Sequence, residues 1–410
     1  MADQAHKPRL PVTPLIGASL FFTGITYAST LNYGAIVGID TLGLPNTTYA
    51  ILLMVASLVS AAASVALGYV SDRIPDRRIL VIGCALLGGL GFGLIFIFRS
   101  QLVFILAVCV IMPFGGALFS QSFSFARSYY NAKSPARAEF MTSILRTVFA
   151  VAWAIVPPFV GWIAANTTVF NVYGIAAAAY FVCAAIYAVL LRNPEAKIGT
   201  PATKAGEAAP AQSRASIEPA VVVGIVGVTL IFIATYLNNV TVPLLITVTL
   251  KGTFGELGIF AGLAAALELP FMILWGYALR WLNKHTIIIF AALLYALYLA
   301  LLSRAGSVTE ILWLQLINGP ATAALMSIPI SYLQDAIKGR VGLSTSLLDV
   351  VGVTSALASA ALFGALTAAS PDYPVLFVVA AGASVAGAAI LFAAHRLLGQ
   401  PPAGDRLAAG

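Results

Sequence analysis

Apolar runs about as long as a bilayer is thick alternate with short polar breaks along almost the whole 410-residue chain. A transmembrane helix needs about 20 such residues. Runs of that order recur twelve times, over 14–40, 46–71, 79–98, 102–128, 140–165, 170–191, 218–248, 254–280, 285–303, 308–333, 342–368 and 374–398. The pattern predicts an all-α integral membrane protein with twelve transmembrane helices. Most breaks are very short. The exception is 192–217, RNPEAKIGTPATKAGEAAPAQSRASI, rich in Ala, Pro and charge and free of an apolar face, which reads as a flexible linker. It divides the chain into an N-terminal half, 1–191, and a C-terminal half, 218–410, of six spans each.

Composition sharpens this picture. Hydrophobic residues make up 60% of the chain and charged residues 9%, against about 25% charge in a soluble domain. The net charge of +7 therefore belongs to loops rather than to a nucleic-acid interface. With both termini in the cytoplasm, 18 of the 22 Lys and Arg residues fall on the cytoplasmic side. Arg99, Lys251 and Arg304 fall outside and Arg146 lies within a span, so the opposite orientation is rejected. The polar start, MADQAHKPRLPVTP, runs directly into a full span and predicts no cleavable signal. Cys84, Cys109 and Cys183, like His6, His285 and His395, are scattered, which argues against a disulfide framework or a metal site. No cofactor is expected, and without a phosphate-cradling loop the energy must come from gradients.

The densest early charge is GYVSDRIPDRR, residues 68–78, between two apolar helices. A turn this short and this charged lies at a water interface. For its basic residues alone, a positive-inside loop suffices. The order glycine, three residues, aspartate, arginine, then an arginine pair resembles the signature loop between helices 2 and 3 of the major facilitator superfamily. That resemblance implies a gating role for Gly68, Asp72, Arg73, Arg77 and Arg78, with Asp72 at the cytoplasmic interface near the start of the eleventh span.

The halves also repeat. TSILR (142–146) matches TSLLD (345–349) at an offset of 203, which also pairs Arg137 with Arg340. At an offset of 208, Gly68-Tyr69 coincides with Gly276-Tyr277. Two pseudo-symmetric six-helix halves joined by a long cytoplasmic loop is the parallel-repeat plan of the major facilitator fold. Within that superfamily the segment FARSYYNAKSPARAEFMTSILRTVFAVAWAIVPP (125–158) resembles bacterial sugar efflux transporters. So do NNVTVPLL (238–245), ALELPFMILWGY (266–277) and SYLQD (331–335). Asp349 departs from the family, which is expected to carry an uncharged polar residue there.

Three charges inside spans are costly, at about 2.5–3.5 kcal/mol each, and so point to function. Glu268 lies near the bilayer centre, 12 residues or ~18 Å of helix before Arg280. It is expected to be the main proton-coupling site, with Asp349 as the other candidate. The plainer reading is a neutral carboxyl bonded to a carbonyl freed by Pro270. Arg146 and Asp349 occupy repeat-equivalent positions of opposite sign. They are expected either to pair across a central cavity or simply to hold the halves in register. Tyr27, Asn32, Gln121, Asn238, Asn239, Gln315 and Asn318 carry amides and hydroxyls on spans 1, 4, 7 and 10. With Arg146 they are the expected substrate-binding set for a polyol, although such residues also glue helices together.

The expected protein is a monomeric, non-enzymatic secondary transporter of the bacterial cytoplasmic membrane. It exports a small polar solute, a sugar or glycoside, in exchange for protons by alternating access. Its partners are that solute, protons and the lipid bilayer, and no nucleic acid. The alternative is a multidrug or amphiphile exporter of the same superfamily, which a cavity lined by aromatic and apolar side chains would favour.

Overall fold

A computed structural model describes residues 11–74, 76–197, 219–336, 341–369 and 371–397. Among them are twelve helices long and apolar enough to cross a membrane. In chain order these are α1 (Val12–Thr30), α2 (Asn46–Arg73), α3 (Arg77–Phe98), α4 (Gln101–Asn131), α5 (Pro135–Asn166) and α6 (Phe170–Leu191). Then follow α7 (Pro219–Leu244), α8 (Phe254–Ala278), α9 (Lys284–Leu302), α10 (Val308–Ala336), α11 (Val341–Thr367) and α12 (Tyr373–Leu397). No strand occurs among the described residues. Most of the linker, from 198 onward, and Pro75 lie outside them.

Short polar residues start the helices by satisfying amides left without a helical partner. Asp76 accepts from the Arg78 amide at 3.1 Å to open α3, and Asn283 accepts from the Thr286 amide at 2.8 Å to open α9. Thr253 and Glu256 cap α8 reciprocally, with amide bonds of 2.7 and 3.2 Å. Ser134 and Pro135 start α5 five residues before the apolar run begins at 140. A helix continues into water where its caps are good, and hydrophobicity does not mark that end.

Two spans expected to be continuous are broken. Beyond Thr30 the first span turns and re-forms as a π-helical turn, Ile36–Thr41, where the Leu42 amide reaches back to the Val37 carbonyl at 2.9 Å. Inside α4 a second π turn, Ala107–Ile111, precedes Pro113. The proline has no amide hydrogen to give, and the wider turn relieves the crowding of its ring against the preceding turn.

The repeat persists in backbone detail. After α7 a π turn, Leu245–Thr249, carries the bond from the Leu250 amide to the Leu245 carbonyl at 2.9 Å. Subtracting 208 returns residues 42 and 37, the pair that closes the first turn. The next residue takes a left-handed backbone in both copies, Gly43 at φ 72° and Lys251 at φ 54°. Glycine meets no Cβ penalty there, and lysine does.

By packing, the chain forms two compact units, Met1–Glu207 with Lys251–Ala265, and Ala208–Leu250 with Ala266–Gly410. In the first unit α6 packs on α3 and α1, and α1 on α5. The first turns of α8 also join it, backbone against backbone: a methyl on Gly161 of α5 would stand 2.5 Å from the Phe254 carbonyl oxygen and 2.8 Å from Gly258 Cα. In the second unit α12 packs on α7 and α9, α9 on α10, and α11 on α7. Tyrosines fill much of both cores, with Tyr33, Tyr130, Tyr173 and Tyr187 in the first and Tyr295 and Tyr298 in the second.

Candidate functional site

The second unit holds a polar cluster in the middle of its apolar packing. α8 and α10 cross where a methyl on Gly319 would meet Leu267 Cβ at 2.6 Å. That approach sets Glu268, the residue after Leu267, against α10, with its carboxyl beside the Thr322 hydroxyl. Glu268 is half-buried. On α10 the Asn318 side-chain amide donates to Gln315 Oε1 at 2.7 Å, and the Gln315 amide donates to the Ile311 carbonyl at 3.1 Å. The Thr322 hydroxyl donates to the Asn318 carbonyl at 2.8 Å. α9 adds Tyr295 and Tyr298, stacked at 5.7 Å between ring centroids. The Tyr295 hydroxyl faces Thr235, Asn238 and Glu268, and that of Tyr298 stands beside Gln315 and Asn238. Trp275 of α8 ties the two helices once more, its indole donating to the Pro320 carbonyl at 2.8 Å.

Four of the expected residues thus belong to one cluster: Glu268, Asn238, Gln315 and Asn318. The two tyrosines and Thr322 were missed. Their signal was available, since a Tyr-x-x-Tyr pair inside an apolar span must find partners for two buried hydroxyls.

The first unit is different in character. A cavity of about 260 Å³ opens among Tyr27, Leu31, Phe92, Phe104, Met112 and Tyr180. Two hydroxyls at its wall are already partnered. The Tyr27 hydroxyl donates to the Gly116 carbonyl, and that of Tyr180 to the Gly115 carbonyl at 3.4 Å. These are carbonyls at the bend of α4. Beside it, Tyr27, Phe119, Phe123, Phe149 and Trp153 form a chain of ring contacts 4.7–6.4 Å apart. Gln121 is buried, with its side-chain carbonyl unpartnered.

Other expected residues do not pack into this cluster. Arg146, Asn239 and Asp349 are exposed, and Asn32 is half-buried in the turn after α1. Asn238 and Asn239 are neighbours on one helix, about 100° apart, so burying one turns the other out.

The charged loop is organised around Arg78. This residue is buried and donates to Asp76 through Nε at 2.8 Å and Nη2 at 2.6 Å. Nη1 reaches the carbonyls of Leu190 at 2.6 Å and Asn193 at 3.3 Å, at the end of α6. Arg78 therefore ties the loop to its own unit. The guanidinium beside Asp76 holds its carboxyl below the usual carboxylate range. Arg77 donates to the Ser124 hydroxyl at 2.7 Å, and Arg73, exposed, lies 3.5 Å over the Tyr69 ring. Gly68 is exposed on α2, and the side chain of Asp72 lies outside the described residues.

Twelve helices long and apolar enough to cross a membrane, with amides, hydroxyls and a carboxyl among them, define a multi-pass membrane protein. The model of the Major Facilitator Superfamily matches residues 15–233, and the chain belongs to that superfamily. Among curated relatives, Sugar efflux transporter A of Dickeya chrysanthemi is 26% identical over 335 residues, 82% of this chain and 83% of that protein. Sugar efflux transporter A of Escherichia coli K12 is 27% identical over 312 residues, 76% and 78% of the two chains. Among solved structures, the nucleoside transporter NupG (D323A mutant) aligns with a TM-score of 0.77 at 12% identity, covering 94% of this chain and all of that one. The peptide transporter POT (E310Q mutant) with sulfate gives 0.74 at 15% identity, with 94% of each chain covered. At such identities the structures speak for the fold, which is the major facilitator fold.

Proposed function

We propose that this chain exports sugars or glycosides across the bacterial cytoplasmic membrane in exchange for protons. The halves 1–191 and 218–410, joined by 192–217, would alternate access, with both termini cytoplasmic and the protein acting as a monomer. The sugar efflux relatives support the substrate class. The observation that carries the coupling is Glu268, a half-buried carboxyl among hydroxyls and amides at the crossing of α8 and α10. A carboxyl there is costly when charged and acceptable when protonated, so proton uptake and release change the energy of the second unit. Asn238, Gln315 and Asn318 support that carboxyl. Arg146, Asn32, Gln121, Asn239 and Tyr27 form the substrate-contact set, with Arg146 and Asp349 acting together in binding or alternation. Gly68, Asp72, Arg73, Arg77 and Arg78 make up the cytoplasmic gate.

The experiment is transport in proteoliposomes under an imposed pH gradient. Glu268→Gln is expected to lose gradient-driven accumulation and keep solute exchange. If it accumulates solute while Asp349→Asn does not, the roles of the two carboxylates are exchanged.

A second reading, export of amphiphiles, is favoured by the aromatic chain from Tyr27 to Trp153 and by the apolar cavity beside it. Binding of a sugar panel against lipophilic cations to the purified protein separates the two.

A further inference from the structure

The cavity of the first unit sits where two spans lose their regular form. Leu31 and Gly34, in its wall, follow the end of α1 at Thr30. Val108 lies in the π turn of α4, and Met112 directly follows that turn. Irregular backbone within a span persists where it is buried in protein or lines a cavity, and π turns gather at functional sites. About 260 Å³ is open here, against about 150 Å³ for an apolar cavity that stays dry and takes benzene. The space suits one ring or two fused rings.

The chemistry of the wall narrows the occupant. No Asp, Glu, Lys, Arg or His lines the cavity. A cation there would lose several kcal/mol of hydration, and ring faces return only about 2 kcal/mol. Four wall hydroxyls have spent their protons. Thr26 donates to the Thr23 carbonyl at 2.7 Å and Thr30 to the Thr26 carbonyl at 3.1 Å, while Tyr27 and Tyr180 donate to the carbonyls of Gly116 and Gly115. A sugar stripped of water would find few donors, and each polar group left unpaired costs about 1–3 kcal/mol. The aromatic side chains form a continuous surface. Phe92 stacks on Tyr180 at 5.5 Å and meets Tyr173 at 5.8 Å, and Tyr173 meets Phe104 at 6.5 Å. Such a wall gains most from another aromatic ring.

Tyr173 adds a polar handle. It is 2% exposed, and its hydroxyl has no hydrogen-bond partner among the described residues. The Tyr33 hydroxyl in the same unit is also unpartnered but sealed in packing, whereas Tyr173 stands at the cavity wall. A buried hydroxyl there calls for a partner from outside the chain. We propose that the cavity binds a neutral one- or two-ring aromatic carrying a single oxygen, a phenol or a naphthol, whose ring lies against Phe92, Phe104 and Met112 and whose oxygen accepts the Tyr173 hydroxyl proton. Every residue of this site belongs to the first unit. The inference is therefore separate from coupling at Glu268 and does not rest on which solute is exported.

The test is scintillation-proximity binding of radiolabelled 2-naphthol to the purified full-length protein at neutral pH, with labelled naphthalene as a second ligand. Saturable binding is expected, displaced by unlabelled 2-naphthol and by naphthalene, and not by glucose or tetraphenylphosphonium. Tyr173→Phe is expected to weaken 2-naphthol about tenfold, the equivalent of about 1.4 kcal/mol, and to leave naphthalene within twofold. Val108→Phe, which sets a ring in the same space, is expected to weaken both ligands. No saturable binding to wild type overturns the inference and leaves water or a lipid chain as the occupant. Unchanged 2-naphthol binding in Tyr173→Phe overturns it as well, even where Val108→Phe fails to fold. Displacement by tetraphenylphosphonium overturns the neutral class of ligand.

Discussion

Asp76 performs two tasks that substitution can separate. It caps α3 through the Arg78 amide, and it grips the buried Arg78 guanidinium with both oxygens. Asn in its place keeps a capping oxygen and loses the charge. Breaking a buried ion pair costs about 3–5 kcal/mol. Here the Asp76 side chain is 22% exposed and two carbonyls still hold the arginine, so solvent screens the loss, and about 2 kcal/mol is expected. Alanine removes the cap as well, for about 1 kcal/mol more. The assay is thermal unfolding in detergent with a thiol-reactive dye, because Cys84, Cys109 and Cys183 are free, buried and in the same unit. Wild type should unfold last, then Asp76→Asn, then Asp76→Ala. The pH dependence has a defined sign. The folded carboxyl titrates below its unfolded value of about 3.9. Its contribution is therefore complete above that value and is lost as pH falls through the folded one. The gap between wild type and Asp76→Asn should close only in that acid window. Equal unfolding temperatures for all three proteins at neutral pH would sink the account of the loop.

Three further outcomes are expected. Lys251→Gly should raise stability by about 1 kcal/mol, since lysine holds a left-handed backbone that glycine holds in the other copy; a lower unfolding temperature would contradict this. Tyr27→Phe should lose about 1 kcal/mol with the bond to the Gly116 carbonyl and leave solute affinity within twofold if the ring alone meets solute; a much larger loss of affinity would place the hydroxyl on the solute. Gly161→Val should cut folded yield and transport together, because its side chain meets backbone that cannot yield; wild-type behaviour in both would show that α5 and α8 part more readily than their spacing implies.

The twelve spans and their order were legible because the bilayer demands long apolar runs, and nothing else in the chain imitates them. The interruptions were not. The spans 14–40 and 102–128 read as continuous apolar segments, and the π turns at Ile36–Thr41 and Ala107–Ile111 arise from backbone bonding that hydropathy does not encode. Glu268 stood out as a charge in an apolar run. Which of Asn238 and Asn239 joins it did not, because adjacent residues on a helix offer opposite answers and only packing chooses. Tyr295, Tyr298 and Thr322 were hidden by their apolar bulk, which counts toward a span while their hydroxyls count toward a site.

The π turns after residues 35 and 244 also bear on mutagenesis. Each adds a residue to a helical turn, and one residue is about 100° of rotation. Cysteine-accessibility scanning along α7 should show reactivity recurring with the ordinary helical period up to Leu244, then slipping in phase within Leu245–Thr249. A helical wheel drawn straight through that junction assigns the later residues to the wrong face. The same slip should appear 208 positions earlier, within Ile36–Thr41, so two separate scans should break their rhythm at matching points.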